Sequence, residues 1–150
     1  MEIRRTGYGH RDAQRLAADL AEELLERHGR PGSGGEPPAS DFDPPDGAFV
    51  VGYEVGEPVA CGGVCRYDGR TGEIRRMYVV PAARSRGFSH AILATLERAA
   101  RKLGYEAIRL ETGNRQHEAI SLYRSSGYEP IERYGPYVED ERSVCFEKKL

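Results

Sequence analysis

The segment IRRMYVVPAARSRGFSHAILATLERAARKLGY, residues 74–105, decides the fold. It begins as an apolar strand, IRRMYVV (74–80), stopped by Pro81. After Arg84-Ser85-Arg86-Gly87 the period changes: Phe88, Ile92, Leu96, Ala99 and Leu103 recur at helical spacing up to Gly104. The spacing predicts a helix over 87–103 that opens almost directly from a strand. Such a helix start exposes unpaired N–H groups and about half a positive charge, which suits a diphosphate. Gly87 lets the backbone approach an anion with no Cβ in the way. Ser89 is small, and Arg84 and Arg86 add positive charge. By itself R-x-x-G-x-S fits an ordinary arginine-rich helix start equally well.

Downstream, YEAIRLET (105–112) alternates as a strand. Asn114 is placed to cap a second helix carrying Ala119, Ile120, Leu122 and Tyr123, ended by Gly127. SVCFEKKL (143–150) reads as a last strand. Upstream, AFVVGYEV (48–55) and PVACGGVCRY (58–67) read as a hairpin turning at Gly56-Glu57, followed by a second turn at Asp68-Gly69. Residues 2–5 suit a short strand. A helix runs from Asp12 to His28, with Leu16, Leu20 and Leu24 on one face and Gly29 as its C-terminal cap. Residues 29–47 hold five of the nine prolines and five glycines, which predicts a flexible loop within one domain spanning 1–150. Hairpins followed by strand–helix–strand units argue an α/β (α+β) class with a mixed sheet.

From Gly72 to Ile131 the chain resembles the core of the GNAT N-acetyltransferase superfamily, and the likeness extends over 48–134. The family turn is R/Q-x-x-G-x-G/A, so Ser89 is a mild departure. The resemblance implies an acyl-CoA N-acyltransferase fold: a mixed, mostly antiparallel sheet of about seven strands flanked by helices. It also implies an acetyl-CoA site. Amides of Arg84, Ser85, Arg86, Gly87, Phe88 and Ser89 would hold the pyrophosphate. The strand end Met77, Tyr78, Val79 would hold the pantetheine arm, exposed because two adjacent strands splay apart. Gln116 stands where the family often has a cofactor-touching asparagine.

The resemblance gives Tyr123 the role of general acid near the CoA sulfur. A thiol titrates near 8.5 and a tyrosine near 10, so full proton transfer is uphill by about 2 kcal/mol; a hydrogen bond to the thiolate is as credible. Glu73, eleven residues before Arg84, is the family-implied general base. Its gap of about 6 pKa units to an ammonium demands a raised pKa or a water relay. Glu111, Tyr134, Tyr137 and Asp140, and Asp41, Phe42, Asp43 and Asp46 of the loop, are candidates for the acceptor side. His90 and His117 read as surface residues.

These features predict an acetyl-CoA-dependent N-acetyltransferase acting on a primary amine of a small molecule or a peptide, by direct attack in a ternary complex. The alternative is a non-catalytic acyl-CoA-binding or sensing module. No G-x-x-x-x-G-K-[ST] or G-x-G-x-x-G is present, which argues against nucleotide hydrolysis and a dinucleotide fold. A net charge of −2 gives no field for nucleic acid. No segment reads as a membrane span or signal peptide. The three cysteines, Cys61, Cys65 and Cys145, form no metal or disulfide pattern, and Cys61 and Cys65 read as small buried thiols, which fits a cytoplasmic protein. No metal is implied, and either a monomer or a homodimer is compatible.

Overall fold

A computed structural model describes all residues, 1–150. In chain order the elements are β1 (Glu2–Thr6), α1 (Arg11–His28), β2 (Ala48–Glu54), β3 (Glu57–Arg66), β4 (Thr71–Val79), α2 (Phe88–Lys102), β5 (Ala107–Gly113), α3 (His117–Ser125), β6 (Glu129–Ile131) and β7 (Ser143–Lys149). The strands form one seven-stranded sheet in the order β1-β2-β3-β4-β5-β7-β6. Only β4 and β5 run parallel; every other neighbouring pair is antiparallel. This is the mixed, mostly antiparallel sheet that the sequence implies. No helix is long and apolar enough to cross a membrane.

Helices cover both faces of the sheet. On one, Val50, Ala60, Val64, Ile74, Ile108 and Leu110 pack with Ile92, Leu93 and Leu96 of α2 and Leu122 and Tyr123 of α3. On the other, Phe49, Val51, Tyr53, Cys61, Cys65 and Tyr78 pack with Ala13, Leu16, Ala17 and Leu20 of α1. A strand covered on both faces loses its polar alternation, which is why β2 and β3 read as continuous apolar runs. All three cysteines are buried, and burial pushes the Cys61 and Cys65 thiols up to about 12.

Local boundaries depart from the sequence reading in four places. The β2–β3 hairpin turns at Val55-Gly56, one residue earlier than expected, with φ of 49° and 78°; positive φ at both central residues matches the twist of a two-residue hairpin. β4 begins at Thr71 rather than Ile74, because its ladder with β3 continues to Arg66↔Gly72 through polar residues. β6 is a three-residue edge strand containing Pro130, which the sheet tolerates only at an edge. Helix α3 is capped by Gln116, not Asn114; Asn114 N–H instead donates to the Arg142 carbonyl.

The 29–47 segment is irregular apart from a 3-10 turn at Ala39–Phe42, and it is anchored along its length. Arg142 donates to the carbonyls of Arg30 and Pro31, and Ser33 donates to Asp140. Glu36 accepts from the Tyr8 hydroxyl at 2.7 Å and from Arg76 at 2.9 Å. Phe42 is buried against Tyr8 and Phe49, with ring centroids 4.9 and 5.3 Å away. Phe42 is therefore core, not an acceptor-side residue.

Candidate active site

Strands β4 and β5 pair only from Thr71↔Ala107 to Ile74↔Leu110. Beyond that point β4 continues to Val79 and β5 to Gly113 with no ladder between them. A bulge marks the divergence: Gly62 of β3 faces both Arg76 and Met77, and Arg76 takes φ of 63°. Bulges bend a strand and re-aim its side chains. The Arg76 carbonyl accepts from the Cys61 thiol, and its guanidinium bonds Gly35 and Glu36, which holds this conformation. The wedge opens into a cleft of about 1280 Å³, walled by the second half of α1, residues 31–36, β4, the β4–α2 turn and α3.

At one end of the cleft lies the turn into α2. Gly87 is the N-cap residue with φ of 81°, and Ser85 takes φ of 64°. The N–H groups of Ser85, Arg86, Gly87, Phe88, Ser89 and His90 donate to no group in the protein; the first helical bond runs from Ala91 to Gly87. A left-handed residue followed by a helical one turns successive N–H groups toward a common point, a geometry that binds anions. The arginines of the turn face elsewhere. Arg84 folds back to the Val79 carbonyl at 2.9 Å and to Glu23 of α1 at 2.6 Å. Arg86 forms a fork with Glu54 of β2 and lies over the Phe88 ring. Both are neutralised, so the anion-binding capacity of the turn is in its backbone.

Tyr123 lies on α3 along the cleft, 4% exposed, packed on Tyr128 and Phe146. Its hydroxyl makes no hydrogen bond to the protein. Burial raises its pKa, so it is protonated and available as a donor at neutral pH.

Two carboxylates lie on or behind the cleft wall. Glu73 of β4 accepts from the Tyr134 hydroxyl at 2.7 Å and does not itself line the cleft. Glu111 of β5 does line it, accepting from the Ser143 hydroxyl at 2.6 Å. Burial raises the Glu111 pKa; Asp140 and Glu73 push the same way, while Ser143 and Arg75 oppose. Glu73 pairs with Arg109 in register, so alternation puts Arg75 and Glu111 on the same face, one step into the wedge.

The sequence from residue 13 to 128 matches the model of the Acetyltransferase (GNAT) family. The chain belongs to the GNAT acetyltransferase family. It is 38% identical over 107 residues to an IAA acetyltransferase of Azospirillum brasilense, covering 71% of this chain and 70% of that protein. Its fold is similar to that of a Klebsiella pneumoniae protein described as an acyl-CoA N-acyltransferase, with a TM-score of 0.84, 30% identity, and 99% and 97% of the two chains covered. A GNAT acetyltransferase of Elizabethkingia anophelis, solved with acetyl-CoA bound, superposes with a TM-score of 0.71 at 16% identity over 99% and 97% of the chains.

Within this GNAT chain, Met77, Tyr78, Val79, Arg84, Ser85, Gly87, Phe88, Ser89, Gln116 and Tyr123 all line one cleft. The Gln116 side-chain oxygen is occupied by Gly113 N–H and Thr112. Tyr137 and Glu111 line the same cleft, whereas Tyr134 does not. Asp140 does not: it is tied to Arg142 and Ser33. Asp41, Asp43 and Asp46 lie outside the cleft as well, and Asp46 accepts from Tyr105 through its carbonyl. His90 and His117 are exposed. Arg75 is the residue that sequence reasoning missed. Strand alternation from Glu73 was the signal that points to it.

Proposed function

We propose that the protein transfers the acetyl group of acetyl-CoA to a primary amine of a small molecule or peptide, by direct attack in a ternary complex. The observation that carries this reading is the row of unpartnered N–H groups from Ser85 to His90 at the mouth of the cleft that also holds the Tyr123 hydroxyl. The acetyl-CoA bound to the Elizabethkingia relative supports the same ligand class.

In this scheme the turn amides hold the pyrophosphate. The end of β4 from Met77 to Val79, which has no β5 partner, offers main-chain groups to the pantetheine arm. The amine attacks the thioester carbon and forms a C–N bond; the C–S bond then breaks and thiolate leaves. Tyr123 donates a hydrogen bond to the departing sulfur. The amine proton passes to a carboxylate of the cleft. Glu111, on the cleft surface with a raised pKa, is the direct acceptor, and Glu73 stands behind the wall, bonded to Tyr134, which packs on Tyr137. No buried cysteine is placed to carry the acetyl group, because the Cys61 and Cys65 thiols are held protonated by burial.

A thermal shift with CoA tests the first step. Ligand at 100 times its dissociation constant stabilises by about 2.7 kcal/mol, so a rise in Tm of several degrees is expected. The absence of any shift at saturating CoA would sink the reading. Gly87→Val tests the turn itself. A β-branched residue is strained at φ of 81°, and its side chain stands where an anion approaches. Calorimetry should show CoA binding weakened about 10- to 100-fold, the equivalent of one charge-assisted hydrogen bond.

A further inference from the structure

Four arginines line the cleft: Arg27, Arg75, Arg76 and Arg84. Arg27 pairs with Glu118 and Glu23, Arg76 with Glu36, and Arg84 with Glu23. Arg75 pairs with no carboxylate. Its one protein partner is the Gly35 carbonyl, 3.0 Å from Nη2, which leaves most of its five N–H donors unused.

The surroundings converge on that free fork. A Cβ on Gly34 would lie 2.8 Å from Arg75 Nη2 and 2.8 Å from the Tyr137 hydroxyl. Guanidinium and phenol therefore meet at one spot beside the loop, and the Tyr137 hydroxyl has no hydrogen-bond partner in the protein. Burial raises the Tyr137 pKa, so it too is a donor. The same wall carries Glu111, which takes up the opposite charge. Arg75 acts on Glu111 only at a distance and makes no ion pair with it, and an Arg fork fits a planar carboxylate in two parallel hydrogen bonds.

We propose that the acceptor is an amino acid-like molecule, carrying a carboxylate that docks on Arg75 and Tyr137 while its amine lies toward Glu111. The proposal rests on the acetyl-transfer reading and narrows its substrate class. The ammonium end then meets Glu111, and the carboxylate end meets the one guanidinium of the cleft that makes no ion pair.

The test compares glycine, β-alanine, 4-aminobutanoate and the α-amino acids with their amides and with simple alkylamines, following CoA release at saturating acetyl-CoA. For the best acid, kcat/KM is expected to exceed that of its amide by about 10- to 100-fold, as one charge-assisted contact allows. Arg75→Gln should erase most of that preference, mainly through KM, and leave the thermal shift with CoA intact. Arg75→Lys keeps the charge but not the fork, so it should retain part of the preference. Amides turned over as well as acids, or a preference that survives Arg75→Gln, would overturn the carboxylate site and leave acetyl transfer standing; Arg75 would then only balance Glu111 and Glu73. If no amine of any kind is acetylated although CoA binds, the acetyl-transfer reading fails and this proposal fails with it.

Discussion

Replacing Tyr123 by phenylalanine is expected to lower kcat by about 10²- to 10³-fold, the usual cost of removing one donor aimed at developing negative charge. The ring should stay where it is, because its contacts with Tyr128 and Phe146 are made by carbon atoms that phenylalanine keeps. Binding of CoA, measured by calorimetry, should change little. The environment also decides how the hydroxyl works. Burial raises the Tyr123 pKa above its ordinary value near 10, further from the thiol near 8.5. Complete proton transfer is thus more uphill than between the free groups, and a hydrogen bond to the departing sulfur is the favoured role. The pH profile of kcat should accordingly show no limb that disappears in Tyr123→Phe. A variant that keeps full activity would remove Tyr123 from the chemistry. A wild-type protein that binds CoA but acetylates nothing would be the non-catalytic module instead.

Glu111→Gln is the second large effect. General base catalysis contributes about 10²- to 10⁴-fold, and a loss of that order in kcat/KM is expected. Glu73→Gln should cost less, since neither Glu73 nor its partner Tyr134 lines the cleft. The base must be ionised, so kcat/KM of the wild type should fall on the acid side with a midpoint above that of an ordinary glutamate, about 4.3. That limb should vanish in Glu111→Gln. Stability should move the other way. Folding raises the Glu111 pKa, so the stability this group contributes is full below the unfolded value and is lost as pH rises through the folded one. Above the folded pKa the wild type has lost it, whereas the amide has no charge to bury and its oxygen still accepts from Ser143. The urea midpoint of Glu111→Gln should therefore rise. A variant both fully active and no more stable would show that Glu111 is an ordinary wall residue.

The parts of the fold governed by local rules were readable from the chain alone. The turn into α2 announces itself by Pro81, Gly87 and a change of period, and α1 by its apolar stripe and Gly29. What escaped depends on partners distant in sequence. Nothing marks Phe42 as core until Tyr8 and Phe49 surround it, and nothing in a proline- and glycine-rich run reveals that Glu36 will meet Tyr8 and Arg76. β6 is too short, and carries a proline, to register as a strand. In the site, the unpartnered N–H groups of the turn were legible, but the fate of its arginines was not: Arg84 and Arg86 look like phosphate ligands until Glu23 and Glu54 are seen to hold them. The weight of Glu111 against Glu73 required burial, which no spacing gives.

The divergence of β4 from β5 has a cost in the unliganded protein. A strand border with unsatisfied amides and carbonyls is a template that any extended peptide can read, including the same border on another molecule. Under the proposed binding mode, pantetheine would mask this border. Coenzyme supply is thus expected to act on solubility as well, and light scattering should be higher in CoA-free samples than in samples saturated with CoA.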